Sequence, residues 1–533
     1  MKKVWISLLL MIGMIGIMTG CSGKEQDGRG YLFICTLSGN PGCLDPQYTD
    51  NENAEIVIET IMEGLVRQDE AGNIEPAGAE SYNISGDGLR YEFKLREDSY
   101  WYSDEDVKQV TSSDYVYAFQ RLLNPETEAP HAEEYLCIKN ASAILSGWMK
   151  PETLGVTAPD EFTIIFELDY PEEDFLNLLT QSCAFPCNEE FFLSTNGRYG
   201  LNENMILCNG AFCLTKWAYD AYGSGNFMTF RKNSLYYDKD NISPVSLQFN
   251  IMRSRGEADE DFAQGNADVI LTETYPANYL DSEKYAVKSS CTKTIGLIFN
   301  QENEILQSEE FRRALAYGID RENYSGLLNG NLQTANGIIP PAVQILGRSY
   351  RELYADEPLT PEYSPEEAGI LFEEALISVS MNELNALKIL LPETFTDTEA
   401  LLSICQNWQD ISGHYIGVEK VSVKEYRSRI ESGEYSIALC TLETPRNSCY
   451  ASIKNAVEQL DMDKIILENL TGTEQLSRKV NLYGEAERKI LAENQFIPLF
   501  YQNMYLIYTA KNDEIYAKPF SRSIDFRKAK HYI

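Results

Sequence analysis

Histidine is nearly absent: 533 residues hold three, His131, His414 and His531, far apart in the chain. No C-x-x-C pair accompanies them, so a structural zinc site or a Cys-His catalytic pair has little to be built from. Neither G-x-S-x-G nor H-E-x-x-H occurs, and with so few general bases an extracellular hydrolase lacks its usual parts. Positive charge is also short, with 45 Lys and Arg against 81 Asp and Glu, a net charge of −36. That balance speaks against nucleic acid and against adhesion to anionic lipid heads. Internal repeats, low-complexity tracts and long Pro/Ser linkers are missing after residue 30, and no later apolar run is long enough to cross a bilayer.

What is present begins with the leader. Lys2 and Lys3 precede an apolar stretch, Val4 to Met18, which ends in Thr19-Gly20-Cys21. A basic start, an apolar core and small residues before a cut mark a secretory signal peptide. An ordinary signal peptide or an uncleaved anchor helix would share these marks. The Gly-Cys ending resembles the lipobox of bacterial lipoproteins, in which the Cys becomes the mature N-terminus and carries the acyl chains. Residues 1–20 are therefore expected to be removed, Cys21 to be lipidated, and residues 21–30, polar and Gly-containing, to form a flexible tether. The protein would then work outside the cytoplasm, at the cell surface or in the periplasm, held to a membrane by lipid.

The remainder has the composition of a globular protein, 44% hydrophobic and 24% charged, and is long enough for several domains. Twelve cysteines leave eleven after Cys21, an odd number, so at least one is unpaired in a monomer. Cys183 with Cys187, Cys208 with Cys213 and Cys440 with Cys449 are possible pairs, but mostly reduced thiols acting as small hydrophobes are the preferred expectation. Strict alternation over Leu89–Leu95 predicts a half-buried strand, and Phe162–Leu168 reads as another strand. Thr111-Ser112-Ser113-Asp114 offers cap residues for a helix stopped by Asn124-Pro125. Glu309–Ile319 and Val480–Leu491 read as helices, and Ala386–Leu391 and Ile437–Leu442 as buried strands. Strands and helices alternate, so the class is α/β or mixed.

Certain segments come in a characteristic order: Leu44-Asp45-Pro46, Glu63-Gly64-Leu65-Val66, Pro76-Ala77-Gly78-Ala79-Glu80-Ser81, then Trp101 and Asp114 to Pro125. Asn209-Gly210-Ala211-Phe212, Phe311 to Arg321 and Gly337-Ile338-Ile339-Pro340-Pro341 follow. The series resembles the oligopeptide-binding lipoproteins of ABC importers, solute-binding protein family 5, over nearly the whole mature chain. The resemblance implies a periplasmic-binding-protein type II-like α/β fold, two lobes joined by a hinge, with an extra domain on the first lobe. It places the first lobe at 31–70, 200–293 and 500–533, the extra domain at 71–199 and the second lobe at 294–499. It implies a monomer that encloses a peptide between its lobes and passes it to a membrane permease driven by ATPases, with no cofactor and no catalysis. A sensor of the same fold, binding a signal peptide or another small molecule without committed import, is the second reading.

Carried over position by position, the resemblance puts cleft residues at Asp50, Asn51 and Glu52, with an acidic start to the following helix, Ala54 to Met62, as the equal alternative for Asp50 and Glu52. The family's aromatic after the Asn-Pro turn falls at His131, and a Tyr-Tyr pair on the strand entering the second lobe at Ile295-Gly296. Many peptide binders carry Gly-Trp-x-Ala-Asp on a second-lobe strand, the Asp holding the peptide's amine. This chain has Thr441-Leu442-Glu443-Thr444-Pro445, so Leu442, Glu443 and Thr444 are cleft candidates and the amine-binding carboxylate is missing. Glu443 is the nearest replacement in sequence.

Overall fold

The computed structural model describes residues 31–533 except 71, 103–106, 355–357, 378–380, 469, 471–474, 522 and 533. Cys21 and the leader lie outside the described residues. One mixed sheet of eleven strands runs through the chain, and two of its strands are far longer than the rest: Tyr285–Phe299 and Phe496–Thr509. At about 3.3 Å per residue each spans roughly 45–50 Å, enough to serve two bodies. They pair antiparallel with each other, and their register slips between Cys291 and Lys293 and again between Ile295 and Gly296. Such bulges bend a ladder, and here they fall where the two strands leave one hydrophobic core for another.

On one side of the slips stand Leu32–Leu37, Ser246–Ile251 and Val269–Thr272, with Leu32–Leu37 parallel to both neighbours. Phe33, Leu37, Val269 and Leu506 share one core with a smaller antiparallel sheet, Ala79–Ile84, Arg90–Leu95, Thr163–Glu167 and Val156–Asp160. On the other side Ile437–Glu443 and Lys388–Pro392 extend the main sheet. Its two faces are covered separately: Leu297, Phe311 and Trp408 belong to one core, and Leu442, Ile453 and Ile490 to another. Helices cover both faces of this mixed sheet, which is parallel among Ile437–Glu443, Lys388–Pro392 and Gly417–Val421 and antiparallel where the two long strands join it, and this makes the half α/β. The whole is a two-lobed α/β fold of the type II binding-protein kind.

The conserved-looking segments quoted above turn out to be joints of this frame. Asp45 is buried and meets Arg121 at 2.5 Å, fastening Leu-Asp-Pro to the helix Ser112–Leu123. Trp101 Nε1 donates to Asp114 at 3.1 Å, and Asn209 exchanges two hydrogen bonds, 3.1 and 2.9 Å, with the backbone of Glu63. Gly78 has no room for a side chain, since a Cβ there would stand 2.5 Å from the Tyr115 hydroxyl and 2.7 Å from the Gly64 carbonyl.

Two expectations need correction. Ala386 closes a short helix, Met381–Ala386, and the strand begins at Lys388, because Met, Glu, Leu and Ala are good helix formers and the apolar run straddles the boundary. The first-lobe helix runs Glu52–Ile61, two residues earlier than its apolar stripe, because Asn51 supplies the cap. None of the eleven described cysteines forms a disulfide, and nine of them are buried. Burial pushes the thiols of Cys137 and Cys187 up to about 12, so they are inert protonated hydrophobes at neutral pH.

Candidate functional site

In open α/β sheets, ligands sit beyond the carboxyl ends of parallel strands, where successive connections part. Leu32–Leu37 leads toward the helix Glu52–Ile61, and its parallel neighbour Ser246–Ile251 toward the helix Arg255–Ala263. Both helices therefore open at the same end. Asn51 Oδ1 accepts from Asn53 N at 2.9 Å and Ala54 N at 3.3 Å, so its carboxamide is a helix cap. Asp50 beside it is exposed, and Glu52, 54% exposed, lies 3.8 Å from Arg255.

The second lobe faces this end with the strand Ile437–Glu443 and the loop after it. Leu442 points into the second-lobe core, and Thr444 is buried with its hydroxyl 3.1 Å from Ser452. Ile295 is also core, and Gly296 is pressed against the Phe496 ring and the Ile497 carbonyl, where a Cβ would stand 2.4 Å from oxygen. Glu443 is exposed and pairs with Lys293 at 2.8 Å. Lys293 reaches Glu273 at 3.3 Å, and Glu273 reaches Arg255 at 2.5 Å. An alternating chain of charge thus runs from Glu443 across the hinge to Glu52, bringing these two sequence candidates into one network.

His131 belongs to a second network. Its Nδ1 is 3.0 Å from Glu134 Oε1, and its Nε2 is 3.7 Å from Glu55 on the first-lobe helix, ion-pair range but too long for a hydrogen bond. The hydrogen bond to Glu134, and next the carboxylate of Glu55, outweigh burial and raise His131 to about 10. Burial works to raise Glu134, but the bond to His131 and the charge of Arg446 hold it at about 2.

Arg446 is the residue that sequence reasoning missed. It follows Pro445 at once, is 5% exposed, and crosses from the second lobe to the residues between 71 and 199. There its Nη1 meets Glu134 at 2.7 Å and its Nε meets Asp174, itself 1% exposed. The next residue crosses as well, with Asn447 Nδ2 donating to the Gly72 carbonyl at 3.0 Å. The available signals were thin: a cation where relatives carry an acid one place earlier, and Glu134 three residues after His131.

Two adjoining cavities, of about 100 and 430 Å³, open between the lobes and share Arg67, Gln68, Lys518, Phe520, Asp525 and Arg527. Pro445 and Arg446 wall the first, and Gln344 and Asn447 the second. Several of their charges are matched within the walls: Arg67 with Glu63 at 2.9 Å, Lys518 with Glu59 at 2.8 Å, Arg527 with Asp525 at 2.6 Å. Gln344 Oε1 and, in a third cavity of about 50 Å³ beside Glu52, Thr36 Oγ1 are buried without a hydrogen-bond partner among the described residues. Such atoms call for a polar ligand or water. No group of acidic, His and Cys residues among the described residues is arranged to hold a metal ion.

The model of one family, described as bacterial extracellular solute-binding proteins, family 5 Middle, matches residues 73–442. The dipeptide-binding protein DppE of Bacillus subtilis (strain 168) is 28% identical over 73% of this chain and 72% of its own length. The probable deoxycholate-binding periplasmic protein YgiS of Escherichia coli (strain K12) is 25% identical over 88% of each chain. Among solved structures, the peptide-binding pheromone receptor PrgZ superposes with a TM-score of 0.72 at 23% identity, over 95% of this chain and all of its own.

Proposed function

Since the chain belongs to the bacterial extracellular solute-binding proteins of family 5, we propose that it is the lipid-anchored receptor of an ABC importer, binding peptides between its lobes and delivering them to a permease and its ATPases. The observation that carries this is the interlobe cleft itself, about 430 Å³ in its larger part, with ion pairs among its own wall residues and an unpartnered polar atom at Gln344 Oε1. A peptide is mostly neutral amide and side chain, and such a wall offers it hydrogen bonds without demanding a fixed charge. The relatives compared are binding proteins, which favours binding over chemistry. Asp50, Glu52, His131 and Glu443 are proposed to face the ligand or to hold the groups that do. We further propose that Cys21 carries the anchor, that the mature protein is a monomer, and that the chain divides at the boundaries anticipated above. Support for that division comes from the separate cores on the two sides of residues 291–296.

The second reading is a sensor for a signal peptide or another small molecule. It is favoured by Pro445 in place of an amine-binding Asp, and by relatives described as a pheromone receptor and a deoxycholate-binding protein. Native mass spectrometry of the purified protein tests both. Co-purified masses that fragment as amino-acid chains support the peptide reading, and a steroid or other non-peptide ligand in their place overturns it.

A further inference from the structure

The junction made by Arg446 is constructed entirely from the chain's own groups. Asp174 accepts from Arg446 and from Asn177 Nδ2 at 2.9 Å. Glu134 accepts from Arg446 Nη1 at 2.7 Å and Gln181 Nε2 at 3.2 Å with one oxygen, and faces His131 with the other. Both carboxylates are therefore matched before any ligand arrives. Lys479 pairs with Glu173 one residue away, and Asn447, held by Gln344 N at 2.7 Å, reaches Gly72. The contacts of Arg446 with Glu134 and Asp174, of Lys479 with Glu173 and of Asn447 with Gly72 join the second lobe to the residues between 71 and 199.

A buried pair holds only while both charges remain. Removing one leaves the other stranded, so the geometry binds the lobes together as well as neutralising them. The cations at this wall are Arg446, His131 and Lys479, with Lys454 close by, and the acids are Glu55, Glu134, Glu172, Glu173 and Asp174. A ligand ammonium entering here would have to expel a guanidinium that already makes two charge-assisted contacts in fixed geometry.

We infer that Arg446 is a resident counter-ion: it fastens the second lobe to the domain bearing Glu134 and Asp174, and it denies those carboxylates to a ligand's free amine, so that the cleft takes peptides with a neutral or blocked N-terminus at this wall. The ligand half of this inference rests on the peptide reading above, and the fastening half does not. Small-angle scattering of protein stripped of ligand by denaturation and refolding tests the fastening. R446Q and, from the opposite side, D174N are each expected to enlarge the radius of gyration, with circular dichroism reporting that both fold. Radii equal to the wild type in both variants would overturn it. Calorimetry with Ala-Ala-Ala and acetyl-Ala-Ala-Ala tests the ligand half. The wild type is expected to bind the two within threefold of each other, and R446Q to prefer the free amine at least tenfold. A hundredfold loss on acetylation in the wild type would overturn the counter-ion role. If neither tripeptide binds any variant, the peptide reading is what fails, and scattering alone then decides the fastening.

Discussion

His131 stands between Glu134 and Glu55, and its charge is what the two acids share. Raised from 6.5 to about 10, it contributes stability that is complete below about pH 6.5 and is lost as pH climbs toward 10. Glu134, lowered from 4.5 to about 2, contributes stability that is complete above about pH 4.5 and is lost on descent toward 2. The two windows overlap between about 4.5 and 6.5, where the pair does most. The difference in melting temperature between the wild type and His131→Asn should be widest near pH 5.5 and should shrink steadily toward pH 10. A difference that stays constant from pH 6 to 10 would mean His131 is uncharged in the folded protein. The sequence showed His131 only as the odd residue in an aromatic position. Glu134 lies three residues on, but Glu55 sits on a separate helix, and no local pattern announces a contact between residues 55 and 131.

At the scale of elements, the legible parts are those whose pattern is local. The helix Ser112–Leu123 carries its own cap, apolar stripe and stop, the strand Arg90–Leu95 alternates as a half-buried strand does, and Thr163–Glu167, buried at four successive positions, reads as a short apolar run. The two long crossing strands are another matter. Tyr285–Phe299 mixes exposed Lys288 and Ser289 with buried Leu297, because its surroundings change where it passes between lobes. No single period survives that change. The motif Gly337-Ile338-Ile339 was legible as a motif, while its reason lay 150 residues away. Glu487, 0% exposed, accepts from Ile338 N at 2.7 Å and Ile339 N at 2.9 Å, and pairs with Arg351. Glu487→Ala strands a buried guanidinium and two backbone donors, a change that costs about 3–5 kcal/mol. Urea denaturation should register a loss of that size, and a loss below about 1 kcal/mol would show that Arg351 is solvated rather than held.

For the whole molecule, the family motifs report the frame and the cleft residues report the ligand. Asp45, Arg121 and Asn209, from the quoted segments, and Glu487, which holds Gly337-Ile338-Ile339, make joints of the frame. The same division applies to how the molecule meets a membrane. No helix among the described residues is long and apolar enough to cross a bilayer, and a chain of net charge −36 is repelled by anionic lipid. On the reading proposed above, acyl chains on Cys21 supply retention at the membrane. A single chain binds only marginally, while two hold stably. In cells the wild type should remain with membranes through a high-salt wash and be released by detergent. Replacing residues 1–21 with a signal peptide that is cleaved without lipidation should move the whole protein to the soluble fraction. Cys21→Ala in the native leader should accumulate as an unprocessed precursor that takes up no labelled fatty acid. Labelling of Cys21→Ala as strong as that of the wild type would place the lipid elsewhere, and membrane retention of the leader-replaced protein would point to a surface on the lobes that holds the membrane despite their charge.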